Sequence, residues 1–213
     1  MECYDRSQHT RRDILHAIMW RPATFVLAAY TGLRLSAATP TAFAQAPALP
    51  PTPACTDADD VTPRQTEGPF YTPRSPERTS LLKPGSTGTP IVLTGYVLSR
   101  RCQPIARALL DFWHADERGQ YDNKGVRFRG QQFTDEAGRY RLETIVPGLY
   151  TGRTRHFHVK VRAPNRSVLT TQLYFPGEPG NEQDRIFNPA LLMAIQDTAD
   201  GKIAMFDFIV NVT

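Results

Sequence analysis

The stretch "RTRHFHVKV", residues 153–161, decides how this chain is read. His156 and His158 stand one residue apart in a run with the character of a β-strand. On a strand, residues i and i+2 share a face, so both imidazoles project to one side and Phe157 points to the other, toward a core. Two neutral imidazoles on one face are a natural pair of metal ligands. They are equally at home on a polar sheet face, and on these two residues alone both readings stay open.

Working outward, most signals are β. "PIVLTGYVLS" (90–99) is β-branched and apolar, "ARALLDFWHA" (106–115) has a short apolar centre, and "GRYRLETIV" (138–146) alternates, with Tyr140, Leu142 and Thr144 on one side. "HFHVKVRA" (156–163), "VLTTQLYF" (168–175) and "IAMFDFIVNV" (203–212) complete the set. Turn residues at Asp135–Gly138, Pro147–Gly148 and Pro176–Gly180 separate them. The expected fold is therefore all-β, a single-domain β-sandwich with little helix. The one helical candidate lies in "NPALLMAIQD", residues 188–197.

The chain of 213 residues is long enough for one domain with a sizeable core. Residues 1–44 hold five arginines against three acids, which leaves 20 basic and 18 acidic residues in the remainder. So small and scattered an excess argues against nucleic acid as a partner. Arg11-Arg12, a short apolar stretch between Arg21 and Arg34, and Ala42-Phe43-Ala44 follow in the order of a twin-arginine-like export signal over 1–44. This predicts a periplasmic or secreted protein, and the stretch is too short for a membrane span of ~20 residues. Residues 45–63, rich in Pro and Ala, read as a linker or extended arm, and 64–213 as the folded domain. Cys3 belongs to the leader, so an oxidising compartment makes Cys55–Cys102 the expected disulfide, with two free thiols as the alternative.

The neighbours of the histidines sharpen the reading. "VPGLY" ends at Tyr150, six residues before His156, and Pro147-Gly148 can turn the chain so that Tyr150 swings back. "WHADERGQY" ends at Tyr121, beyond another glycine turn. A tyrosine, with a solution pKa of about 10, is a poor ligand while protonated, but a trivalent metal can hold it as phenolate. Two phenolates and two imidazoles suit Fe(III) and are an unlikely set for zinc. For either tyrosine alone, strand-end packing is the simpler account.

"TEGPFY", "DFWHADERGQYDN", "TDEAGRYRLETIVPGLY", "RTRHFH" and "TTQLYFPGEP", in this order, resemble the intradiol ring-cleavage dioxygenases, which include catechol 1,2-dioxygenase and protocatechuate 3,4-dioxygenase. The resemblance covers about residues 64–210 and is nearest to the exported, single-domain branch. It implies a mononuclear non-haem Fe(III) held by Tyr121, Tyr150, His156 and His158, with Tyr150 the ligand that leaves when substrate arrives and then takes its proton. It implies that Arg153 lies over the bound catecholate and that Gln172 lines the pocket. The implied partners are an ortho-diphenol and O2, the implied product a muconate-type diacid. Departures concern the pocket: only "TGRTR" separates Tyr150 from His156, and Gly152 stands where some members carry a bulky wall. A more open site for substituted catechols is expected, with no counterpart to the helical dimerisation domain of the catechol enzymes; an oligomer remains compatible. Tyr71 is a further candidate for the pocket, with core packing as its other reading.

The remaining residues have plainer readings. His114 is expected in support of the site or at the surface, Trp113, Phe112, Phe157 and Phe206 in the core, and Glu182 and Asp184 as solvated loop acids. Two rival functions stay open. One is an inactive exported binding module. The other is a structural copper or zinc site on the histidine pair.

Overall fold

Two sheets, one wholly antiparallel and one mixed, pack face to face in the computed structural model, which describes residues 61–212. The leader, Cys55 and most of the 45–63 arm lie outside the described residues. Cys102 is disulfide-bonded, and its partner too is outside them. In chain order the strands are β1 (Pro90–Ser99), β2 (Leu109–Trp113), β3 (Arg129–Phe133), β4 (Arg139–Ile145), β5 (His156–Arg162), β6 (Leu169–Tyr174), β7 (Ala194–Thr198), β8 (Gly201–Met205) and β9 (Phe208–Val210). One sheet runs β4-β1-β8-β7 with β9 also on β1; the other runs β3-β2-β5-β6. The only helical element among the described residues is a single 3-10 turn, Pro189–Leu191.

Alternation places the core. Phe112, Phe157, Val159, Val161 and Leu173 from one sheet meet Leu93, Val97, Tyr140, Leu142 and Phe208 from the other, all almost wholly buried. The opposite face of the β3-β2-β5-β6 sheet carries polar and aromatic side chains and is roofed by loops. That division follows from the two-residue period of a strand.

The helix expected over 188–197 does not form. Asn188 caps Ala190 with its side chain, and Pro189 starts only one turn. Met193 N–H then bonds to the Tyr174 carbonyl, and Ala194–Thr198 pairs with β8 as an edge strand. Sheet pairing outweighs a weak local preference for helix.

His114 is a core residue, extending the inward face of β2 past Phe112. Its Nδ1–H donates to the Ala115 carbonyl (2.7 Å), and Nε2 accepts from Thr144 on β4 (2.6 Å), a polar link between the sheets. Burial pushes its pKa down to about 4. An imidazole depressed in the fold is stabilising while neutral, and that stability drains away as pH falls below its unfolded value of 6.5 toward 4. The metal-free protein should lose about 3 kcal/mol through His114 alone between pH 7 and pH 4. Urea unfolding at both pH values, in wild type and in His114→Gln, measures this; equal losses in the two proteins would remove His114 from the account.

Candidate metal centre

Three lone-pair atoms converge on the outer face of the β3-β2-β5-β6 sheet. Tyr121 Oη lies 3.3 Å from His156 Nε2 and 3.1 Å from His158 Nε2, and the two Nε2 atoms are 3.1 Å apart. A point about 1.8 Å from all three lies at the centre of that triangle, close to the ~2.0–2.1 Å of an imidazole–metal bond. The donors therefore fit a small cation. His156 Nδ1–H donates to the Thr154 carbonyl (2.6 Å), which leaves its Nε2 lone pair facing the cluster. Such a hydrogen bond behind a ligating imidazole fixes its tautomer and aim. Among the described residues no group of three His, Cys, Asp or Glu gathers anywhere, so a metal at this position needs the phenol oxygen.

The side chains around the cluster set its electrostatics. Burial, joined by the nearby Arg153 guanidinium, pushes His156 down to about 4, and burial pushes His158 well below the ordinary imidazole value. Burial raises the Tyr121 phenol, while Arg153 and Arg129 pull against that rise. Neutral imidazoles with free lone pairs are the state a metal requires.

Tyr121 and Tyr150 reach the same place because two glycine-bearing loops cross in contact. A Cβ on Gly148 would lie 2.4 Å from the Gly119 nitrogen, and a Cβ on Gly119 would lie 2.0 Å from the Leu149 carbonyl oxygen. Gly148 N–H donates to the Asp116 carbonyl at 2.7 Å, closing the crossing. Tyr150 then packs edge-on to Tyr121, centroids 5.8 Å apart, and edge-on to Phe70 at 5.3 Å. No hydrogen bond from a described residue holds the Tyr150 hydroxyl.

Arg153 is fixed rather than solvated. Its Nε donates to Asp184 Oδ2 (2.8 Å) and its Nη2 to Gln172 Oε1 (2.6 Å). Gln172 is fully buried and donates to the Thr66 carbonyl (2.9 Å), so it orients Arg153 against the N-terminal segment. Asp184, expected as a solvated loop acid, has a side chain only 2% exposed. Burial alone would raise its pKa; the Thr154 N–H and Arg153 more than offset this and hold it low. Glu182 is exposed, as expected.

Other candidates fall elsewhere. Gly152 adopts φ 76° with nothing within 4 Å of a built Cβ, beside a pocket of about 390 Å³ lined by Tyr150, Arg153 and Asp184. Tyr71 sits behind the cluster, its ring 4.8 Å from Trp113 and its hydroxyl donating to Asp111 (3.1 Å). Trp113 is buried, yet not between the sheets: it stacks on His158 at 4.8 Å and 9°. Sequence reasoning passed over Phe70, stacked on Tyr121 at 4.4 Å, and Arg129, a buried guanidinium that donates to the Phe70 and Asp122 carbonyls. For Phe70 the adjacent "GP" turn was the one available signal.

Comparison with known proteins shows the family. The family model described as "Dioxygenase" matches residues 66–211. The chain is similar to the dioxygenase domain of a dioxygenase–carbohydrate-binding protein fusion from the cellulolytic bacterium Streptomyces sp. SirexAA-E, at 55% identity and TM-score 0.71, over 72% of this chain and 100% of that one. It is similar to 3-chlorocatechol 1,2-dioxygenase from Rhodococcus opacus 1CP, at 26% identity and TM-score 0.67, over 73% and 74%. It is 27% identical to catechol 1,2-dioxygenase of Acinetobacter baylyi over 59% of this chain, and spans 50% of that enzyme's length.

The ion pair beneath Arg153 makes a direct test. Asp184→Asn keeps the shape but leaves a guanidinium, 19% exposed, without its counter-charge. Breaking a buried pair this way costs about 3–5 kcal/mol. Chemical denaturation should report a loss near the low end of that range; a loss below about 1 kcal/mol would class the pair with exposed ones.

Proposed function

The chain belongs to the intradiol ring-cleavage dioxygenase family, and from that membership we propose that it cleaves the ring of a catechol-type ortho-diphenol between its hydroxylated carbons, using O2 and a mononuclear Fe(III). The convergence of Tyr121 Oη, His156 Nε2 and His158 Nε2 within 3.1–3.3 Å carries the reading. Tyr150, whose ring edges onto Tyr121, would complete the ligand set. Bound there, Fe(III) would supply Lewis acidity that lowers the pKa of both diphenol hydroxyls and activates the ring toward O2.

The chain's own residues divide the remaining work. Tyr150 is held by ring contacts only, next to unpacked Gly152, so its oxygen is free to move and accept a proton from the incoming diphenol. Arg153, clamped by Asp184 and Gln172, presents fixed positive charge where the deprotonated ring develops negative charge. Phe70 and Trp113 cover Tyr121 and His158 with apolar rings that keep bulk water from those donors. Room beside Gly152, and Leu149 at 57% exposure on the adjoining loop, favour diphenols with a substituent directed outward. Export to an oxidising compartment is part of the proposal; the order of features in residues 1–44 and the disulfide at Cys102 support it.

A visible spectrum of iron-loaded protein tests the whole reading. A broad tyrosinate-to-Fe(III) band should appear and shift when a suitable catechol is added under nitrogen; a colourless iron-loaded protein would sink the ligand assignment. Arg153→Ala should retain iron and its band, yet lose at least about 100-fold in kcat, the scale of removing one preorganised charge at a reacting centre. Oxygen uptake measures it, and near-normal turnover would take Arg153 out of the reaction.

A further inference from the structure

Three aromatic contacts lead away from the cluster, to Phe70, Trp113 and Tyr174, and they differ in what they can carry. Tyr121 stacks on Phe70, a ring that gives up an electron with difficulty, and Phe70 leads back to Tyr150 of the site itself, so that contact carries nothing outward. On the other side His158 lies parallel to Trp113, 4.8 Å between centroids and 9° between planes, and Trp113 meets Tyr71 at 4.8 Å. Tryptophan and tyrosine are the side chains that lose a single electron most readily. Tyr71 also has a base in place: its hydroxyl donates to Asp111 Oδ2 at 3.1 Å, and Asp111 Oδ1 is buried with no hydrogen-bond partner.

The base matters because of Lys160. Its ammonium stands 3.4 Å over the Tyr71 ring, paired with Glu67 at 2.7 Å. A cation over the ring opposes a positively charged radical. Tyr71 can therefore be oxidised only if its proton leaves with the electron, and Asp111 is placed to take it. Tyr174, 6.2 Å from His156, lacks this provision: its hydroxyl donates to the Gln172 and Ile186 oxygens, which cannot accept a proton, and Arg153 lies beside it.

We propose that His158, Trp113, Tyr71 and Asp111 form a one-electron path that drains oxidising equivalents from the metal site to the half-exposed Tyr71. The proposal rests on the iron reading above. Its oxidant is hydrogen peroxide, which takes two electrons and two protons to become two waters. Tyr71 supplies an electron through Trp113 and passes its proton to Asp111, becoming a neutral phenoxyl radical. An outside reductant such as ascorbate restores Tyr71 with one electron while Asp111 returns the proton, and the reductant's own proton enters the solvent; a second passage supplies the second electron, and the peroxide takes its two protons from the solvent. The path spares His156, His158 and Tyr121 from oxidation.

Peroxide added to the iron-loaded full chain without catechol, followed by rapid freezing and electron paramagnetic resonance, tests the path. Wild type should show a neutral tyrosyl signal. Tyr71→Phe should abolish it while keeping the iron band, and should accumulate oxidised His156 and His158 on mass analysis. Trp113→Phe, which keeps a ring against His158, should also lose the signal, so the test survives if one variant folds poorly. Asp111→Asn should suppress it by withdrawing the base. An iron band with no radical, or a radical that persists unchanged in Tyr71→Phe, would overturn the path alone. Absence of the band in wild type would overturn the iron reading and the path together.

Discussion

Cross-strand register is the constraint on which the rest of the molecule depends. Trp113 pairs with Arg129 on one side and with His158 on the other, and His158 pairs with Gln172. These four side chains form one row across the outer face of the sheet. The next row in the same direction holds Gln131, Asp111, Lys160 and Thr170. A slip of one residue would turn every one of them into the core and bring Phe112, Phe157 and Val159 out. The apolar packing between the sheets thus does more than stabilise the fold: it fixes which face the imidazoles occupy.

Charge around the cluster is biased in one direction. Arg129 is buried and donates to the Phe70 and Asp122 carbonyl oxygens, and Arg153 has one carboxylate, Asp184, for its counter-charge. Among the described residues no carboxylate joins the three converging donors. Such a region depresses imidazoles, draws phenol pKa values down against burial, and favours an anionic occupant. Phenolate donors and a deprotonated diphenol are occupants of that kind. Among the described residues, a zinc or copper ion on the histidine pair would have the Tyr121 phenol as its third donor, not a carboxylate or thiolate.

Much of this was legible in the sequence, and the parts that were not share a cause. β1, residues 90–99, was read to its ends because β-branched residues run through it. β3, "RGQQF", was not seen: Arg129 and Gln131 face the roofed outer side, and Gln132 is buried on the inner side, so no apolar alternation remains. β7 was taken for helix because "ALLMAIQ" carries helix-forming residues, and only its pairing with β8 decides otherwise. Tyr121, Tyr150, His156 and His158 stood out through their spacing; the structure converges the donor atoms of Tyr121, His156 and His158 and sets the Tyr150 ring edge-on to Tyr121. Asp184 carried no local signal, since its partner Arg153 is 31 residues distant and only the fold joins them. Trp113 was correctly expected to be buried but assigned to the wrong side, because burial under loops and burial between sheets leave the same mark on a sequence.

The roof over the outer face is unevenly held, and the unevenness follows from its contacts. On the Tyr121 side, the glycine crossing, the Phe70 stack and three hydrogen bonds from Arg129 lock the loops to the sheet. On the Arg153 side, Asp184 gathers the guanidinium and the Thr154 and Ile186 amides into one buried knot. Between these two anchors Thr151 and Gly152 are exposed, and the Tyr150 side chain is held only through its ring. A ligand that had to enter, displace one phenolate and leave as a different molecule would need this division: donors fixed to the sheet, charge fixed by the knot, and compliance confined to the segment that carries Tyr150. Rigidity and motion are thereby assigned to different stretches of the same short loop, by packing alone.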